Sequence, residues 1–124
     1  MGPLTQTAIR YMDFVKGKAP RVRDPDFTFA TWEELAQLVD TDKFVRVGRH
    51  GEAMGWAETV ELMHRNIGSV KDYTLRGSTE TGDRVFLEME ECVMHEGGRM
   101  LFNSVYIFTF DAADRIVRLE FFQQ

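Results

Sequence analysis

Two periodicities divide the chain. Up to Gly68 apolar residues recur at intervals of three and four, and from Val70 onward they alternate with polar ones. Ala8, Tyr11, Met12 and Val15 fall on one helical face, and Gly17 supplies a stop. Residues 18–30 carry Pro20 and Pro25 with little periodicity and read as a loop. Thr31-Trp32-Glu33-Glu34 has the form of a capping box, with the Thr31 hydroxyl on the N–H near Glu34 and Glu34 reaching back. A second helix is therefore predicted over residues 32–39. Phe44-Val45-Arg46-Val47 reads as a short strand, and Gly48, Gly51 and Gly55 punctuate the turn after it. Trp56, Val60, Met63 and Ile67 then form the stripe of a third helix ending at Gly68.

The second half reads as four strands joined by three turns. Glu80-Thr81-Gly82 suits a three-residue hairpin loop with Gly82 left-handed, Gly97-Gly98 a two-residue loop, and Asp111-Ala112-Ala113-Asp114 a four-residue loop. These registers agree on one face holding Tyr73, Leu75, Val85, Leu87, Met89, Val93, Phe102, Tyr106, Phe108, Phe110, Val117, Leu119 and Phe121. The opposite face is polar, interrupted by Phe86, Cys92, Leu101, Val105, Ile107 and Phe122. The first face must be covered, and the three helices are the material available to cover it. The apolar patch around Phe86, Val105, Ile107 and Phe122 is left over, and a homodimer through this outer sheet face is the expected use for it.

The 124 residues fit one domain, 1–124, and ten Phe, three Tyr and two Trp allow a core of large side chains with gaps between them. A net charge of −5 argues against nucleic-acid binding, which depends on cations neutralising phosphates. The lone Cys92 excludes an internal disulfide framework and suits the cytoplasm. No run approaches the ~18 apolar residues of a membrane span, and Met1-Gly2-Pro3-Leu4 does not open like a secretory signal. The expectation is a soluble, unprocessed protein.

The order helix, helix, short strand, helix, meander resembles the nuclear transport factor 2-like superfamily. The distinctive part is the closing run from Val105 through Phe110-Asp111-Ala112-Ala113-Asp114 to Glu120, which is closest to SnoaL-like proteins. The resemblance implies an α+β, cystatin-like cone, in which three N-terminal helices pack in the concave face of a strongly bent, mostly antiparallel sheet. Its open end is a pocket for a small apolar organic ligand. Members include ketosteroid isomerases, epoxide-hydrolase-like enzymes and polyketide cyclases, so the fold fixes the place of the site better than its chemistry. The aspartate base of the isomerases would fall near Arg46-Val47-Gly48, where no carboxylate stands, and the Arg-x-Asp signature of the epoxide hydrolases is missing from Leu87-Glu88-Met89-Glu90-Glu91.

The chemistry then falls to polar side chains on the concave face. The registers place Tyr73 near Met89 and Tyr106, and Lys71, Glu91, Ser104 and Phe121 side by side in the next layer. A carboxylate among aromatics in a partly dry cavity has its pKa raised, which suits general acid or base work, so Glu91 is the first candidate. The competing reading is a Lys71–Glu91 ion pair at the edge of the core. Tyr11 and Tyr106 match the two oxyanion-donor positions of the isomerase pattern, with a core tyrosine as the alternative for Tyr106. His50, beside Glu52 in the glycine-rich turn, is a second proton-transfer candidate or else an exposed loop histidine. Trp32, Trp56 and Met63 from the helices and Phe108 from the sheet complete the expected lining. No metal-ligand spacing occurs and no cofactor is implied. Lys16, Lys18, Arg21 and Arg23 form a basic cluster suited to solvent or to an anion. Three functions stay open: a lyase, isomerase or cyclase, a non-catalytic ligand binder, and a dimerisation module.

Overall fold

The computed structural model describes residues 2–48 and 50–123, without the side chains of residues 70, 71 and 95. Helix α1 spans Pro3–Lys18, the short α2 spans Glu33–Ala36 and α3 spans Trp56–Asn66. The strands are β1 (Val45–Val47), β2 (Ala53–Met54), β3 (Val70–Thr81), β4 (Arg84–His95), β5 (Gly98–Phe110) and β6 (Ile116–Gln123). They form one open six-stranded mixed sheet in the order β2-β1-β6-β5-β4-β3. Every pair is antiparallel except β1 with β6. The expected three helices and mostly antiparallel sheet are thus present.

The apolar stripe of α1 does what its spacing requires: Leu4, Ala8, Tyr11, Met12 and Val15 are all buried, against β3 and β4. Lys16 fixes the helix to the sheet edge, its Nζ lying 2.6 Å from Asp72 and donating to the Tyr73 carbonyl at 3.1 Å. At the other end of α1 the Glu80 carboxylate accepts hydrogen bonds from the backbone N–H and hydroxyl of Thr5, at 2.8 and 2.6 Å. A residue from β3 thus satisfies one of the N–H groups that every helix start leaves open.

The second helical segment begins earlier than its sequence suggests, and its α-helical part is shorter. A 3-10 turn over Phe29–Trp32 precedes α2, and the Thr31 hydroxyl accepts from the Thr28 N–H at 3.2 Å instead of capping the turn at Glu34. Trp32 anchors this turn: it is fully buried, with Phe14 and Phe27 edge-on against it and its Nε1 donating to His64 Nδ1 at 3.1 Å. The chain leaving α2 joins the sheet through Val39 and Ile116, with the Ile116 N–H donating to Leu38 and the Asp40 N–H to Ile116.

The hairpins alternate as predicted but are offset. The β3–β4 loop has two residues, Gly82 and Asp83, with Gly82 left-handed at φ 60°, so Thr81 faces Arg84. That odd register would turn the wrong side chains inward, and a bulge between Leu75 and Gly77 corrects it. As a result Tyr73 stands opposite Glu91, not beside Met89. The β4–β5 loop is Glu96-Gly97, which pairs Leu87 with Tyr106 and Met89 with Ser104. A second bulge at Thr109/Phe110 sets Phe110 opposite Ile116 and Tyr106 opposite Phe121. Ile116, not Val117, therefore enters the core. Beyond the bulges the offsets from the sequence-predicted registers are two residues, so the inward-facing residues of β4 and β5 are the expected ones. Val85, Leu87, Met89 and Glu91 all point inward and are at most 5% exposed. Leu75 and Phe102 lie where the sheet runs past the helices, and Leu75 is exposed.

Glu80→Ala should lower stability by about 1 kcal/mol through loss of the α1 cap, measured by urea unfolding, with the sheet core unchanged. No loss would mean that water serves the helix start equally well.

Candidate functional site

Glu91 lies deep in the concave face, held by its neighbours on β5. Ser104 Oγ donates to Glu91 Oε2 at 2.9 Å and the Tyr106 hydroxyl donates to Oε1. Ser104 and Tyr106 are two apart on β5 and so share the face of Glu91. Tyr73 approaches from β3 and neighbours Tyr106, while Phe121 of β6 tilts against the Tyr106 ring at 5.0 Å. Around this cluster opens a cavity of about 230 Å³. Glu91, Tyr106, Tyr73 and Arg46 give it polar wall, and Val15, Met63 and Ile67 are among its apolar wall.

Burial governs the electrostatics of these groups. It pushes the Glu91 carboxyl above its ordinary value, against the opposing effect of the Tyr106 and Ser104 hydrogen bonds and of the Arg46 charge. It also raises the phenols of Tyr106, Tyr73 and Tyr11, and Tyr106 is raised further by its acidic neighbours. The three phenols are therefore neutral donors around neutral pH. Glu91 is the carboxylic acid among these groups, raised by burial. The cluster can donate hydrogen bonds to a carbonyl oxygen and can exchange one proton with whatever occupies the cavity.

The structure brings together some of the expected residues and separates others. Glu91, Tyr106, Tyr73 and Met63 line the cavity, Ser104 holds Glu91, and Phe121 supports Tyr106. Tyr11 lies behind the wall, donating to Met63 Sδ at 3.8 Å and meeting Phe108 edge-on. The second phenol of the site is accordingly Tyr73, because the register on β3 delivers it to Glu91. Trp32, Phe108 and Met89 are core residues away from the cavity wall, and Trp56 packs edge-on against Phe44 at 5.2 Å. His50 sits in the exposed turn between β1 and β2, where its backbone N–H donates to Glu52. It is not among the residues around Glu91. The side chain of Lys71 lies outside the described residues. The basic cluster of the first loop is largely engaged, with Lys16 on Asp72, Arg21 on Asp24 and Lys18 over the Phe14 ring. Among the described residues no three His, Cys, Asp or Glu side chains converge as metal ligands.

The wall also holds residues the sequence does not single out for the site, among them Leu62, Asn66, Ser69 and the cation Arg46. Arg46 stands on β1 between Val45 and Val47, and its signal is a lone cation inside an apolar strand.

No protein-family model matches the chain, and neither does any curated protein. Solved structures do. A protein described as a candidate SnoaL-like polyketide cyclase from Shewanella putrefaciens CN-32 superposes with a TM-score of 0.73 at 13% identity, over 99% of this chain and 80% of that one. An NTF2-like protein of unknown function from Exiguobacterium sp. 255-15 gives 0.68 at 18%, over 95% and 98%. An LEH-like epoxide hydrolase of M. tuberculosis gives 0.65 at 18%, over 96% and 84%. Identities this low speak to backbone architecture and leave chemistry open. With its helices set against the inner face of an open mixed sheet, and with these likenesses along nearly its whole length, the chain has the nuclear transport factor 2-like fold.

Proposed function

We propose that this chain is a pocket protein of the SnoaL-like kind that binds a small carbonyl compound and moves a proton on it, as lyases, isomerases and cyclases do. The observation that supports this reading is the buried Glu91 carboxyl at a cavity wall, bonded by Ser104 and Tyr106. In the ionised form Glu91 takes a proton from the carbon next to the carbonyl. The C–H electron pair moves into the carbon–carbon bond, and the carbonyl π pair moves onto the oxygen, which accepts a hydrogen bond from Tyr73. Glu91 then returns its proton to carbon, so no cofactor is consumed. Tyr106 keeps Glu91 oriented and tunes its proton affinity. The second reading, a non-catalytic binder, draws on the same bonds, since Glu91 is already satisfied by protein donors.

Exchange of α-hydrogens in deuterium oxide separates the two readings without knowledge of the natural ligand. Wild-type protein should exchange the α-protons of small ketones such as cyclohexanone, followed by proton NMR. Glu91→Gln should slow the exchange by about 100-fold or more, and Tyr73→Phe by about 10-fold. Ketones that bind without exchange would establish the binder instead.

Stability should carry the same signature. A carboxyl raised by burial stabilises the fold fully below its unfolded value near 4.5, and that contribution is lost as pH rises through the higher folded value. Urea unfolding of wild type and Glu91→Gln between pH 4 and 7 isolates it: wild type should lose stability relative to the variant as pH rises. A constant difference would contradict the burial argument.

We also propose a cytoplasmic homodimer joined through the outer sheet face. Leu101 and Phe122 are 68% and 53% exposed there, above half-buried Phe86, Val105 and Ile107. Among the described residues no helix is long and apolar enough to cross a membrane. Phe122→Asp should convert the dimer to monomer in sedimentation velocity, and a wild type that sediments as a monomer would overturn the assignment.

A further inference from the structure

Arg46 is the one cation on the cavity wall among the described residues, and none of those residues forms an ion pair with it. It is half-buried at the centre of β1 and shares that wall with Glu91, Tyr73 and Tyr106. Its guanidinium carbon lies 5.9 Å from the centre of the Phe121 ring, which in turn supports Tyr106. No carboxylate of the described residues forms a salt bridge with it, and none accepts a hydrogen bond from it. The two acids within its field are otherwise engaged: Glu52 accepts from the His50 N–H, and Glu91 accepts from Ser104 and Tyr106.

A half-buried guanidinium that no described carboxylate pairs keeps its donors available to a ligand in the cavity. Its five donors form a planar fork matched to the two oxygens of a carboxylate. The Phe121 ring lies within cation–π range of that fork. Besides these polar groups and Asn66 and Ser69, the wall is aliphatic and thioether surface from residues such as Leu62, Met63 and Ile67. At about 230 Å³ it is smaller than the pockets that take drug-sized ligands, which suits a molecule on the order of ten non-hydrogen atoms.

We propose that the molecule bound in this pocket is a small organic acid, its carboxylate gripped by Arg46 and its carbonyl directed to Tyr73 and Glu91 across a short apolar spacer. This rests on the carbonyl-pocket reading above and narrows its substrate class. It also assigns Arg46 a binding role that separates anionic from neutral carbonyl compounds.

A matched pair of probes tests it: 4-oxopentanoate and its methyl ester, which carry the same ketone with and without the negative charge, with cyclohexanone as a neutral reference. Dissociation constants come from titration followed by NMR. Wild type should bind the acid at least about tenfold more tightly than the ester, as a charge-assisted bidentate contact requires. Arg46→Met should bring that ratio to within about twofold, Arg46→Lys should keep part of it, and added sodium chloride should weaken it in wild type. Arg46→Gln replaces the methionine variant if circular dichroism shows the latter unfolded. Equal binding of acid and ester by wild type, or a ratio unmoved by loss of the Arg46 charge, overturns the proposal. If cyclohexanone still binds and exchanges its α-protons through Glu91 in that case, the carbonyl pocket stands and only the anion class falls. If none of the three probes binds, both fall together.

Discussion

The burial of one carboxyl group organises this protein's candidate site. Glu91 is placed where water is scarce, and a charge there is tolerable only if donors surround it. Ser104 and Tyr106 supply them from the next strand. Burial and hydrogen bonding pull the proton affinity of Glu91 in opposite directions, and burial prevails. The same dryness keeps the phenols protonated, so the cavity is lined by donors around a single exchangeable proton. The remainder of the fold can be understood as what holds those four side chains on one wall.

Three devices hold them. The α1 helix covers the sheet and is tied to it at both ends, by Glu80 on Thr5 and by Lys16 on Asp72 and the Tyr73 carbonyl. The second of these ties fixes the backbone of a site residue directly. The bulge between Leu75 and Gly77 resets the pleat so that Tyr73 faces Glu91, and the bulge at Thr109/Phe110 sets Phe121 against Tyr106. The parallel pairing of β1 with β6 brings Arg46 into the same space from a strand remote in sequence.

What could be read from the chain follows the same division. The change from helical to alternating periodicity, and the inward direction of Val85, Leu87, Met89 and Glu91, come from hydrophobic patterning, which tertiary structure obeys because the core must be dry. The Glu91–Ser104–Tyr106 group was legible for that reason. Exact turn positions and bulges have no comparable signal: the β3–β4 and β4–β5 loops lie a residue or more from the places their glycines suggest, and Arg76 looks like any strand residue, so Tyr73 faces Glu91 where the sequence puts it beside Met89. Trp32, Trp56 and Phe108 were legible as apolar and illegible as core rather than lining, since the two differ only in packing. The short β2 carries too few residues to show alternation. Arg46 was passed over because a strand cation usually points to solvent, and its inward direction depends on a parallel pairing that local sequence does not encode.

The proton affinity of Glu91 is the quantity on which this account turns. Carbon-13 NMR of the Glu91 side-chain carboxyl, assigned by comparison with the glutamine variant and followed from acid to neutral pH, measures it in the intact protein. The account predicts a titration midpoint clearly above the ordinary glutamate value, with the Tyr106 ring resonances moving in step. A midpoint at or below the ordinary value, or a carboxyl that titrates without disturbing Tyr106, would contradict it.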